Sequence, residues 1–275
     1  MRAGRALSNI TEQYRFHASI RGARLRRWLY LSIYYASWLL LRWGDRHTRA
    51  LAILRGLGLS DQRVRIQLPD GMNLELDLYT AYDALFPIYA SRIYTPDPAF
   101  EPKPGWVVLD LGAQQGIFTC KAARAVGPQG LVVAFEPHPT NFSLLVNNVS
   151  RNALRNVSTV EAAVADRVGE SELYLHLHST GYSLARKSSL GSLQVCLTTL
   201  EESAAELRLQ RVDLIKLDIE GAAIPALRGG ERLLRRYKPK IAMEFESDEE
   251  RRELPDWLRG LGYNVRVTAG YLYAD

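Results

Sequence analysis

Three short segments of this chain place polar residues where apolar runs end. The first, Asp110-Leu111-Gly112-Ala113-Gln114-Gln115-Gly116, follows the run VVLDL and leads into a helical pattern. Two glycines in such a strand-to-helix turn let the backbone bend tightly and come close to a ligand that any Cβ would obstruct. Doubly wound folds bind nucleotides at this place. The second segment is Glu136-Pro137, closing the run LVVAF, where an acid can accept both hydroxyls of a ribose. The third is IKLDIEG. Strand alternation there sets Lys216, Asp218 and Glu220 on one face and Ile215, Leu217 and Ile219 on the other. Charges on a buried strand are costly unless paired or functional. Either Lys216 forms an ion pair with Asp218 or Glu220, or these acids make an acid-base site on the rim, joined by Glu244 of the next apolar run.

The glycine spacing narrows the ligand. G-x-x-x-G is not the dinucleotide fingerprint G-x-G-x-x-G, whose second glycine makes room for a pyrophosphate. A nucleoside ligand without phosphates fits better, and S-adenosylmethionine is one. Asp110 would then face its amino acid end, through the ammonium or a water, while Ala162 and Ala163 would offer small side chains and free backbone groups to an adenine edge. His176 and His178 alternate with Leu175 and Leu177 and read as exposed strand residues.

These segments need a scaffold that brings strand ends together. Between Trp106 and Phe245 apolar strand patterns alternate with helical ones, the signature of βαβ units and a parallel sheet. Strands are expected at 107–111, 131–135, 157–164, 170–178, 193–198, 213–220 and 240–245, with helices from about Gly116, Thr140, Ala222 and Asp248. A closing strand pair is expected near 263–273. The fold class is therefore α/β, one open and mostly parallel sheet. Ahead of it, VRIQLPDGMNLELDL reads as a β-hairpin turning at Pro69-Asp70-Gly71. The four prolines of 95–105 make an irregular connection. The expected organisation is a basic, aromatic helical extension (1–60), the hairpin and lead-in (61–105) and a ligand-binding domain (106–275).

Charge is unevenly spread. Residues 1–58 hold eleven arginines, no lysine and two acids, a net +9 that leaves −4 for the rest of a chain whose total is +5. A nucleic-acid enzyme would more often carry its basic stripe on the domain doing the chemistry, so no nucleic-acid partner is expected. Between Arg27 and Arg42 run fourteen uncharged residues with Trp28 and Trp38 among them. As a helix they span about 21 Å, short of the roughly 30 Å hydrocarbon core of a bilayer. Residues 25–43 are thus expected either to pack on the domain or a second copy, or to touch a membrane surface peripherally. Cys120 and Cys196 lack metal-ligand spacing and read as small buried hydrophobes in a reducing, cytoplasmic compartment.

Taken together, LDLGAQQGIFT, VVAFEPHPTNFSLLVNNV, TTLEE at 198–202, DLIKLDIEGAAIPALRGG and KPKIAMEF, in that order over 64–246, resemble the FkbM family of methyltransferases within the class I S-adenosylmethionine-dependent fold. The resemblance implies a seven-stranded Rossmann-like sheet with one antiparallel strand, S-adenosyl-L-methionine as cofactor, and methylation of a hydroxyl on a sugar, glycan, glycolipid or polyketide-type acceptor. By position it implies a cofactor site of Asp110, Gly112, Ala113, Gln114, Gln115, Gly116, Glu136, Pro137, Ala163 and Asp218, with Asp218 and Glu220 nearest the chemistry. The family usually has asparagine where this chain has Gln114.

Methyl transfer from a sulfonium is an in-line displacement in which positioning supplies much of the rate. The acceptor hydroxyl still loses a proton, which Asp218 or Glu220 would take while Lys216 tunes their charge. No metal is assigned, though Asp218, Glu220 and Glu244 holding Mg²⁺ is the alternative route. A non-catalytic cofactor-binding or membrane-docking module and a nicotinamide-dependent oxidoreductase are the rival readings.

Overall fold

The computed structural model describes residues 62–96, 98–176 and 181–275 and, ahead of them, residues 12, 15–22, 28, 29, 32, 53 and 56–58. The arm expected at 25–43 therefore lies largely outside the described residues, and so does His178. The chain divides into two compact units, Met1–Ile93 and Tyr94–Asp275.

In the first unit, β1 (Arg63–Gln67) and β2 (Asn73–Asp77) form the expected antiparallel hairpin, paired from Arg63↔Asp77 to Gln67↔Asn73. Gly71 takes the left-handed conformation (φ +86°) that the turn needs, and Asp70 accepts the Met72 N–H at 3.0 Å. Alternation buries Val64, Ile66, Leu74 and Leu76. Helix α1 (Leu78–Asp83) follows directly, started by the Asp77 carboxylate, which accepts the Thr80 N–H at 2.6 Å.

The second unit is built on a seven-stranded sheet. Its strands are β3 (Val107–Leu111), β4 (Leu131–Phe135), β5 (Val157–Val160), β9 (Leu214–Leu217), β10 (Lys240–Glu244), β11 (Val265–Val267) and β12 (Tyr271–Ala274), in the order β11-β12-β10-β9-β3-β4-β5. Only β12 runs against the others, pairing antiparallel with both β10 and β11. Helices α2 (Ile117–Val126) and α3 (Pro139–Arg151) make the first crossovers. Leu109, Leu111, Phe135, Ile215, Leu217, Ile241, Met243 and Leu272 form the central core. Strands covered on both faces read as the continuous apolar runs seen in the sequence. The chain leaves β3 toward β4 and β5, then returns to β9 on the other side of β3. That reversal opens a crevice at the carboxyl ends of β3 and β9, the place where open α/β sheets bind ligands.

Three strand expectations need correction. The run 157–164 splits: β5 stays in the main sheet, while β6 (Ala163–Val164) pairs with β8 (Ser192–Thr198), which pairs with β7 (Gly169–Tyr174) in a separate three-stranded sheet. The strand expected to reach His178 ends at Tyr174. The run 213–220 is strand only to Leu217, because Glu220 and Gly221 take left-handed φ values of +54° and +92° that no strand allows. Alternation along β8 also leaves Cys196 exposed rather than buried; Cys120 is buried as expected. Helices α4 (Leu200–Glu206), α5 (Ala223–Arg228), α6 (Glu231–Tyr237) and α7 (Asp248–Gly260) complete the unit. Of these, α4 and α6 were not anticipated. Among the described residues no helix is long and apolar enough to cross a membrane.

Candidate active site

The turn after β3 is fixed by backbone bonds. Gly112 and Ala113 both donate to the Phe135 carbonyl, at 3.1 and 2.9 Å, and Gly116 donates to Ala113 at 2.8 Å. The glycines are required by the protein itself. A Cβ on Gly112 (φ +75°) would lie 1.8 Å from the Asp218 carbonyl oxygen, and one on Gly116 (φ +84°) 2.7 Å from Leu145. The sequence reading gave that clearance to a ligand; here it lets the β3 turn close onto the β9 turn. Gln114 is also left-handed, at φ +51°, a conformation that asparagine tolerates better than glutamine. Gln115 is buried, its carbonyl accepting from the Asn148 amide at 2.8 Å.

Glu136 stands at the end of β4, 5% exposed. Its Oε2 accepts the Gln114 N–H at 2.9 Å, and its Oε1 accepts the His138 N–H at 3.0 Å and the Asn141 amide at 3.4 Å. Burial pushes this carboxyl up to about 7, against the pull of those hydrogen bonds and of Lys216. Pro137 beside it is half-buried. Glu136 thus ties the glycine turn to the start of α3. An ionised carboxylate has about four lone-pair sites, and with three of them filled one is left for a hydroxyl.

Asp110 is 0% exposed. Thr119 donates to its Oδ2 at 2.6 Å, and Lys216 Nζ lies 3.1 Å from its Oδ1. Lys216 also donates to the Gly112 carbonyl at 2.8 Å and stands 3.9 Å from Asp218. Burial would strip its proton, but Asp110, Asp218 and Glu136 outweigh that and hold Lys216 above its ordinary value. The sequence paired Lys216 with Asp218 or Glu220; the closer partner is Asp110 on the neighbouring strand. Asp110 is thus held in a buried ion pair with Lys216.

On the rim, the Tyr94 hydroxyl donates to Asp218 Oδ2 at 2.8 Å. Its ring lies against Phe118 and Tyr271, with centroids at 5.9 and 6.2 Å, and under Lys216 Nζ at 5.1 Å. Burial and then Asp218 raise Tyr94 well above the usual phenol range, so it remains a donor. Carboxylate atoms of Asp218, Glu244 and Glu246 lie within 4.8 Å of one another. Glu244 is pushed up to about 7 by burial, then by Asp218 and Glu246, although a Tyr271 hydrogen bond opposes the shift. Glu220 and Glu246 are raised by burial and by the neighbouring carboxylates, with Arg186 opposing the shift. Arg186 pairs with Glu220 and lies 3.8 Å from Glu246. The left-handed backbone of Glu220 costs roughly 1–2 kcal/mol.

The crevice therefore gathers Gly112 to Gly116, Glu136 and Asp218, with Glu220 turned aside into the Arg186 pair. Ala163 is buried in the ladder opposite Leu197, so its backbone serves the small sheet. His176 Nε2 donates to the Arg186 carbonyl, 3.0 Å away. Sequence reasoning missed Tyr94, Arg186 and Glu246. Only Glu246 had a signal, two residues beyond Glu244 on the same strand end. A groove of about 610 Å³ between α4 and α6, edged by Glu201, Arg208, Arg232 and Tyr237, holds none of the expected residues.

The donor set suits the cofactor that the resemblance implies. A buried acid with acceptor capacity suits ribose hydroxyls, and the carboxylates of Asp218, Glu244 and Glu246 favour a cationic sulfonium and ammonium over phosphates. Comparisons agree. Methyltransferase 1 of Beauveria bassiana (strain ARSEF 2860) is 30% identical over 159 residues, covering 49% of this chain and 59% of its own length. Methyltransferase sdnD of Sordaria araneosa is 26% identical over 155 residues, covering 44% and 59%. The chain thus spans less than two thirds of the curated relatives it matches. The crystal structure of methyltransferase FkbM from Methylobacillus flagellatus KT superposes with a TM-score of 0.51 at 16% identity, over 72% of this chain and 54% of that one. The family model for the methyltransferase FkbM domain matches residues 110–265. The chain belongs to this FkbM methyltransferase family, whose cofactor is S-adenosylmethionine.

Proposed function

We propose that this chain methylates a hydroxyl of a neutral, polyhydroxylated small molecule or glycan, with Asp218 as the proton acceptor. The observation that carries the reading is the placing of Asp218: beyond the end of β9 at the switch point, held by Tyr94 at 2.8 Å and 3.9 Å from Lys216. When bound, S-adenosylmethionine supplies an electrophilic methyl group and departs as a neutral thioether. The Gly112 to Gly116 turn, closed onto the β9 turn, and Glu136 would hold the cofactor, with Glu136 accepting from its ribose. Asp218 would take the proton that the acceptor hydroxyl loses on methylation. Glu220 is the weaker candidate base because Arg186 and Glu246 already occupy it. The carboxylates around Asp218 disfavour a phosphate-bearing acceptor, so small molecules and glycans fit better than nucleic acid.

Titration with S-adenosylhomocysteine and with NAD separates this reading from an oxidoreductase. Methyl incorporation separates it from a non-catalytic module. Binding of NAD alone, or binding of S-adenosylhomocysteine with no methyl transfer to any extract fraction, removes the proposal.

A second reading concerns location. The net +9 of residues 1–58 beside an uncharged aromatic run favours peripheral contact of residues 25–43 with an anionic membrane face, on a chain otherwise working in the cytoplasm. Full-length protein should sediment with phosphatidylglycerol-containing vesicles and leave them at high salt; equal sedimentation with neutral vesicles, or none, overturns this.

A further inference from the structure

The connection between β7 and β8 returns to the acid rim. At the last residue of β7, Tyr174 and Ser183 exchange backbone hydrogen bonds of 2.8 and 3.1 Å. Ser183 is fully buried. Its hydroxyl accepts the N–H groups of Ala185 and Arg186 at 3.1 and 2.9 Å and donates to the Glu220 carbonyl at 2.5 Å. One hydroxyl therefore braces the turn of its own segment and the left-handed residue of the β9 turn. Ala185 lies against that turn as well, its Cβ 3.4 Å from where a Cβ on Gly221 would stand. The guanidinium of Arg186 then meets Glu220 and reaches Glu246. Just ahead, Tyr182 lies on His138, ring centroids 4.5 Å apart, two residues beyond Glu136.

The segment is an excursion within the three-stranded sheet, and the main sheet does not need it for closure. Its polar groups are nonetheless spent on the rim. Arg186 is the cation that these acids share: Glu220 is faced by Asp218 and Glu246, and Glu246 also by Glu250.

We propose that Ser183 and Arg186 are positioning residues of the acceptor side, holding the Glu220–Gly221 turn and neutralising Glu220 and Glu246 beside Asp218, the carboxylate proposed to meet the acceptor. The inference rests on Asp218 being the proton acceptor, but its test does not.

The test uses the full chain without an acceptor. In Ser183→Ala, hydrogen exchange at the Ala185 and Arg186 amides should speed by at least tenfold, because both lose the hydroxyl that accepts them. In Arg186→Gln, carboxyl NMR should find the Glu220–Glu246 pair titrating about one pH unit higher, a tenfold change in proton affinity, with Arg186→Lys returning toward wild type. Retained S-adenosylhomocysteine binding reports that the switch-point crevice of each variant is folded. Unchanged exchange in Ser183→Ala together with an unchanged midpoint in Arg186→Gln overturns the proposal. If both shift as expected while Asp218→Asn still transfers methyl groups, the positioning of the rim stands and the role of Asp218 falls.

Discussion

The hydroxyl of Tyr94 donates to Asp218 Oδ2 at 2.8 Å across 124 positions of sequence. Tyr94 lies in an irregular, proline-rich connection, whereas Asp218 follows a central strand. This bond fixes the rotamer of the carboxylate proposed to accept the proton. A hydrogen bond to a charged group is worth about 1.5–3 kcal/mol, and this one acts on orientation more than on cofactor binding. Tyr94→Phe should lower methyl transfer by about ten- to a hundredfold while S-adenosylhomocysteine binding in calorimetry stays close to wild type. Equal losses in both would make Tyr94 a packing residue.

Gly112 and Asp218 approach too closely for any side chain: a Cβ at 112 would sit 1.8 Å from a backbone oxygen. Gly112→Ala must push the β3 and β9 turns apart. Thermal melting should show a loss of more than about 3 kcal/mol, a fall of about 8 °C or more for a domain of this size. The cofactor is not involved, so the loss should appear without ligand.

Lys216 and Asp110 form a pair that is 3% and 0% exposed. Breaking such a pair from one side leaves a buried charge, at a cost of about 3–5 kcal/mol. Lys216→Met should therefore destabilise strongly in denaturant melts. The double variant with Asp110→Asn should recover about half, since asparagine still accepts from Thr119 while the Gly112 carbonyl has lost its donor. Additive losses would mean that the two charges do not stabilise each other.

Burial raises Glu136 to about 7. The folded state therefore holds a proton that the unfolded state has released between about pH 4.5 and 7, and this carboxyl's contribution to stability declines as pH rises through that window. The full effect is up to about 3 kcal/mol. Cofactor binding runs oppositely, because ionised Glu136 is the better acceptor for ribose hydroxyls. Melts of the ligand-free protein should show a decline from pH 5 to 7.5 that Glu136→Gln makes shallower, Glu244 still contributing, while the rise of S-adenosylhomocysteine affinity over the same range is weaker in the variant than in wild type.

Local chemistry made much of the fold legible. Pro69-Asp70-Gly71 announced the hairpin, and the apolar runs ending at Leu111 and Phe135 announced β3 and β4. Helix α4 also had a readable start that periodicity passed over: Thr199 accepts the Glu202 N–H at 3.0 Å, the T-x-x-E pattern of a capping box. Alternation failed at 218–220 because a period of two cannot register the left-handed turn at Glu220 and Gly221. The Lys216–Asp110 pair went unread beside the Lys216–Asp218 one, since register between β3 and β9 decides which acid comes closest to Lys216. Tyr94 and Arg186 carried no signal at all, as their roles exist only once distant segments meet.

The central claim is Asp218-dependent methylation of a small hydroxyl acceptor. The direct measurement is transfer of labelled methyl from S-adenosylmethionine into fractionated cell extract, by wild type and by Asp218→Asn protein that retains S-adenosylhomocysteine binding. The label should enter a small-molecule or glycan fraction as an alkali-stable ether with wild type and be lost by at least a hundredfold in the variant. Undiminished labelling by Asp218→Asn, or label appearing in the nucleic-acid fraction, would contradict it.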